Sequence, residues 1–203
     1  DSRWRSPPLG GLGEPHKGLS DATVPARIAY HFAQAGNKQE AIGYLLEAPL
    51  DSIYEGIESF RPAGWRSEII ELGRVTVIGE CYNAHPDSVE AALDGLAEFA
   101  GSRRCIVVFA DMLEQGEDAE MAHRMVGQMV AERRIDLFAT TGDLAGWASW
   151  EAARMGVRSG HFDTKEALVR ALLPEIRPGD VILVKGSRLM ALEDVIERLR
   201  VSL

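Results

Sequence analysis

The feature that most constrains this chain is a set of short segments that are apolar on both sides of a strand. Cys105-Ile106-Val107-Val108-Phe109-Ala110 and Val181-Ile182-Leu183-Val184 show no polar alternation, so as strands they must be covered by helices on either face. Amphipathic stretches separate such runs from Glu68 onward. The pattern predicts strands near 68–80, 104–110, 135–141, 157–162 and 180–185, with helices over 86–100, 117–134, 144–156, 165–175 and 190–200. This alternation implies an α/β fold, a mostly parallel sheet with helices on both faces.

In such a sheet, ligands gather at the carboxyl ends of the strands. The loops at 79–87, 111–117, 141–146 and 185–190 should therefore open on one edge. The most informative of them lies in Val75-Thr76-Val77-Ile78-Gly79-Glu80-Cys81-Tyr82-Asn83-Ala84-His85-Pro86-Asp87-Ser88, where a strand passes through a polar turn into a helix. Pro86 suits a first helical turn, Asp87 complements the dipole there, and Val89, Leu93, Leu96 and Ala100 form a buried stripe. Unpaired amides at such a helix start favour a phosphate or carboxylate. Glu80, Tyr82, Asn83 and His85 crowd polar groups around the same point. Two readings stand for Asn83 and His85: ligand contact in a nucleotide-handling turn, or the hydrogen bonds of an ordinary turn and cap.

Val184-Lys185-Gly186-Ser187-Arg188 brings two cations and a hydroxyl to the end of the last strand. In a chain of net charge −9, cations placed there favour an anionic ligand over a solvated turn. Arg66, after Trp65, is a further cation just before the sheet. Asp111, Glu114, Glu117 and Asp118 follow the second apolar strand and read either as a metal site or as a solvated helix start, with Asp111 the functional candidate. His123, between Met121 and Met125 in a helical pattern, reads as a packed or surface residue. Cys81 and Cys105 have no CxxC spacing and His161 stands apart, which argues against a metal centre.

No Lys/Arg run exceeds the pairs Arg103-Arg104 and Arg133-Arg134, so nucleic acid is not an expected partner. No apolar run approaches the roughly 18 residues of a membrane span, and two cysteines make no disulfide framework. A cytoplasmic location is the expectation. Residues 1–22 are rich in Gly and Pro and read as an irregular leader, and 24–60 as two short helices split near Pro49. The organisation expected is an irregular and helical segment over 1–66 and a main domain over 67–203. The chain starts at Asp1 without an initiator Met and is expected to be a piece of a longer protein. It has no GxxxxGK[ST] loop and no GxGxxG fingerprint, so it should not cradle ATP unaided.

Ser59-Phe60-Arg61-Pro62 with Trp65-Arg66, Cys81-Tyr82-Asn83-Ala84-His85-Pro86-Asp87-Ser88, Asp111-Met112-Leu113-Glu114, and Val184-Lys185-Gly186-Ser187-Arg188 with Met190 and Glu193 form an ordered set. Over roughly residues 37–203 this set resembles the C-terminal part of the Mur ligases, and best the branch that adds D-alanyl-D-alanine to UDP-N-acetylmuramoyl-tripeptide (UDP-MurNAc-tripeptide) in peptidoglycan synthesis. The resemblance implies a Rossmann-like C-terminal domain that closes over ATP held by a central ATPase domain, of which 1–66 would be a remnant. It implies ATP-dependent amide formation assisted by Mg²⁺, with the chain inactive alone. Carried over, Arg66 corresponds to a phosphate-contacting arginine, Glu80 to an aspartate that contacts the ribose, and Asn83 and His85 to the turn facing the nucleotide. Lys185, Ser187 and Arg188 correspond to residues holding the incoming dipeptide. Gly79-Glu80-Cys81 stands where the family has an Asp-Asp-Ser run, and His85 where it has a second Asn. These departures keep two alternatives open: a non-catalytic binding module on the same fold, or another Mur or folylpolyglutamate-type amide ligase.

Overall fold

A computed structural model describes residues 68–203. The chain divides into two units, Asp1–Arg61 and Pro62–Leu203; the leader, the helices expected over 24–60, and Arg66 lie outside the described residues.

Six strands form one sheet: β1 (Glu68–Leu72), β2 (Val75–Glu80), β3 (Cys105–Ala110), β4 (Leu137–Thr141), β5 (Ser159–Phe162) and β6 (Val181–Lys185). Five helices accompany them: α1 (Pro86–Ala100), α2 (Ala119–Glu132), α3 (Ala145–Arg154), α4 (Lys165–Leu172) and α5 (Glu193–Ser202). The strand order is β1-β2-β6-β3-β4-β5. All neighbours from β2 to β5 run parallel, and β1 alone runs antiparallel. The single strand expected over 68–80 is thus a hairpin. Leu72 faces Val75 across a two-residue turn in which Gly73 has φ of 62°, a left-handed conformation suited to the first central position of a tight hairpin.

The doubly apolar strands are covered as their composition requires. On one face Ile106, Val108, Ile182 and Val184 pack against Leu168 and Leu172 of α4 and Val195, Ile196 and Leu199 of α5. On the other face Val107, Phe109, Phe138 and Leu183 pack against α1, α2 and α3 through Val89, Leu93, Val126 and Ala148. Burying one such Leu, Val or Phe side chain contributes about 1.5–3 kcal/mol. The two layers hold the strands rigidly and leave function to the loops at their ends.

Parallel pairing fixes where those ends lie. Glu80 is opposite Lys185, Lys185 opposite Phe109, Ala110 opposite Thr141, and Thr141 opposite Phe162. The carboxyl ends of β2, β6, β3, β4 and β5 therefore share one rim. Among the described residues no helix is long and apolar enough to cross a membrane.

Candidate functional site

The rim is built from three loops that are fastened to one another by side chains. The first is the β2–α1 turn, 81–85. Its start is anchored below: Cys81 is fully buried, and its thiol donates to the Val184 carbonyl at 3.6 Å. Burial, reinforced by the Glu193 carboxylate, pushes that thiol up to about 12. Cys81 is therefore an inert packing group. Tyr82 and Asn83 are exposed, and Asn83 Oδ1 accepts the Ala84 N–H at 2.8 Å.

His85 ends the turn as the N-cap of α1. Its Nδ1 accepts the Ser88 N–H at 3.4 Å while Ser88 Oγ accepts the His85 N–H at 3.0 Å, a reciprocal capping box. Two of the amides that were expected to await an anion are thus engaged within the turn. The helix start itself still presents its dipole, with Asp87 as the acidic residue of the first turn.

The second loop follows β6. Lys185 is 1% exposed and lies beneath the first turn, where its Nζ donates to the Asn83 carbonyl at 3.0 Å and pairs with Glu80 Oε2 at 3.6 Å. Burial lowers its pKa, and the Glu80 charge opposes that shift. Ser187 is also buried; its N–H donates to the Asp111 carbonyl at 3.1 Å and its Oγ accepts the Leu113 N–H at 3.0 Å. Arg188 is different. Its side chain is 54% exposed and paired with Glu193, and that bonding raises its pKa. The other carboxylate oxygen of Glu193 is buried and has no hydrogen-bond partner among the described residues.

The third loop follows β3. Asp111, 3% exposed, accepts three backbone N–H groups: Asp143 at 2.9 Å, Leu144 at 3.0 Å and Ala145 at 2.7 Å. It closes the start of α3, which gives the strand-end acid of the Asp111, Glu114, Glu117 and Asp118 group a structural role. The carboxylate is committed to backbone amides, while the other three are exposed. Among the described residues no group of three or more His, Cys, Asp or Glu is placed to hold a metal ion. His123 is fully buried beside Phe109, with Nε2 accepting the Met112 N–H at 3.0 Å and Nδ1 at 2.6 Å from the Ala119 carbonyl. It is a packed support for the loop, and burial lowers its pKa.

Of the residues singled out in the sequence, the rim brings together Glu80, Asn83, His85, Lys185, Ser187 and Arg188. It divides them by exposure. Asn83, His85 and Arg188 face outward, whereas Lys185 and Ser187 bond to the chain from below. The supporting roles of Asp111 and His123 had no sequence signal, because each acts on backbone far away or through a helix turn. The outward groups offer an exposed guanidinium, an amide and a helix start, a combination suited to anionic ligands.

The model of the Mur ligase glutamate ligase domain matches residues 65–188. Over 155 residues, 75% of its length, the chain is 31% identical to the UDP-N-acetylmuramoyl-tripeptide–D-alanyl-D-alanine ligase of Bacillus subtilis, covering 34% of that protein. The enzyme of that name from Escherichia coli is 33% identical over 186 residues, 90% of the chain and 40% of the relative. A crystal structure of MurF from Acinetobacter baumannii superposes with a TM-score of 0.70 at 26% identity, over 84% of this chain and 37% of that one. The chain thus spans a third to two fifths of the length of these relatives. With the domain matched across most of the residues that build the sheet and its rim, the chain belongs to the Mur ligase family.

Proposed function

We propose that the chain supplies the C-terminal domain of an ATP-dependent amide ligase that adds D-alanyl-D-alanine to UDP-MurNAc-tripeptide in peptidoglycan synthesis. The observation that carries this reading is the junction of two loops on one rim: the 80–85 turn and the 185–188 loop meet through Lys185 Nζ and the Asn83 carbonyl, 3.0 Å apart. A nucleotide subsite and an amine-substrate subsite must be neighbours in such a ligase. The peptide carboxylate takes the γ-phosphoryl group and releases ADP; the amine then attacks the acyl phosphate, forms the amide and releases phosphate. The acyl phosphate is hydrolysable, so a closing domain that excludes water protects it.

In this reading Arg66 meets phosphate, Glu80 the ribose, and Asn83 and His85 the nucleotide face of the turn. Arg188 takes the carboxylate of the incoming dipeptide, oriented by Glu193, with Lys185 and Ser187 shaping the loop beneath it. Mg²⁺ would serve phosphoryl transfer when bound, but the described residues do not form a site for it, and it is assigned to none of them.

The test is an assay of the polypeptide encoded by the full gene, following phosphate release from ATP with and without each substrate. Release that requires both UDP-MurNAc-tripeptide and D-alanyl-D-alanine is expected. Arg188→Ala should raise the KM for the dipeptide about 10- to 100-fold, the worth of one charge-assisted contact. Phosphate release indifferent to the dipeptide would overturn the proposal.

A further inference from the structure

Lys185 is the one charged residue among the largest fully buried side chains of the described domain. Taking an ammonium out of water costs several kcal/mol unless its partners are well placed, and an apolar side chain of similar volume would fill the space without that cost. The position therefore calls for an explanation beyond packing. Its two partners, the Asn83 carbonyl at 3.0 Å and Glu80 Oε2 at 3.6 Å, both belong to the neighbouring turn. Lys185 is also the last residue of β6, placed in register between Glu80 of β2 and Phe109 of β3. Two residues on, Ser187 ties the same segment to Asp111 and Leu113. One short stretch thus grips the loops on both sides of it.

We infer that Lys185 is a positioning residue: its ammonium sets the main chain at Asn83 from underneath, so that the segment carrying Arg188 also fixes the shape of the 80–85 turn. A substrate carboxylate does not reach this amine while the turn covers it. The consequence for nucleotide rests on the ligase reading above; the strut itself does not.

The discriminating variant is Lys185→Met, which keeps the length and apolar body of the side chain. Hydrogen exchange in the 203-residue chain is read first at Ala84 and His85, whose amides are bonded within the turn at 2.8 and 3.0 Å. Exchange at those two amides should speed up by about tenfold or more, with Leu113 and the amides of α2 and α3 unchanged, as for a local opening. Unchanged turn amides, or faster exchange throughout the domain, would overturn the inference, the second because it marks a plain stability role. In the full-length enzyme the variant should raise the KM for ATP about tenfold and leave that for D-alanyl-D-alanine within about twofold. A rise confined to the dipeptide would make Lys185 a ligand contact, and a fall in kcat with both KM values unchanged would make it a stabilising residue; either contradicts the proposal. An enzyme without dipeptide-dependent ATP turnover would sink the ligase reading, while the exchange measurement still decides the strut.

Discussion

Two helices begin on the same rim and are finished in opposite ways. α1 is capped by its own sequence neighbours, His85 and Ser88, through a long 3.4 Å contact to a ring nitrogen. α3 is closed by a distant carboxylate, Asp111, which takes three consecutive amides at 2.7–3.0 Å. A helix start already filled by a fixed negative charge has no use for a second anion. The α1 start has no such charge in its cap. The α3 end of the rim is thus braced by a distant carboxylate, whereas the more open α1 end, capped within its own turn and carrying Asp87 in its first turn, is the one to which the proposed function assigns the nucleotide.

Breaking the brace should have the largest effect. Asp111→Ala removes a buried acceptor from three backbone donors, that of Ala145 buried and those of Asp143 and Leu144 partly so, and should cost about 3–4 kcal/mol, read as a Tm lower by about 10 °C. Gly142→Ala follows. Gly142 has φ of 116°, and a methyl group there would collide with the Asp111 carboxylate, so a loss of about 2–3 kcal/mol is expected in chemical denaturation.

An intermediate effect should come from acid. Burial holds His123 neutral in the folded protein below its ordinary value near 6.5. Between the lowered pKa and about 6.5 the unfolded chain binds more protons, so its contribution is complete above about pH 6.5 and is lost as pH falls. A His123→Gln variant should show a shallower loss of stability with acid over that range, measured by denaturant titration at several pH values. The smallest effect belongs to the open end: His85→Ala removes an exposed cap and should cost about 0.5–1 kcal/mol. If His85→Ala proved as damaging as Asp111→Ala, the distinction between the two ends would fail.

The same contrast explains what was legible in the sequence. β3 and β6 could be read from their unbroken apolar runs, and the start of α1 from Pro86 and Asp87, because those signals are local and periodic. The hairpin at Gly73 reads as one strand, since both arms are β-rich and only the glycine marks the turn. Asp111 reads in the sequence as a strand-end acid but not as a cap, because its donors lie 32 to 34 positions further along the chain. The burial of Lys185 has no local signal, because only the parallel register with Glu80 brings it under the turn.

The most direct test is an NMR titration of the isotope-labelled chain with ADP, following backbone amides along the rim. Shifts should concentrate in Glu80–Ser88, with weak, millimolar affinity of about −4 kcal/mol, and residues 142–146 should stay still. Shifts centred on 142–146, or a saturating interaction that leaves the 80–88 amides untouched, would contradict the assignment of the nucleotide to the α1 end of the rim.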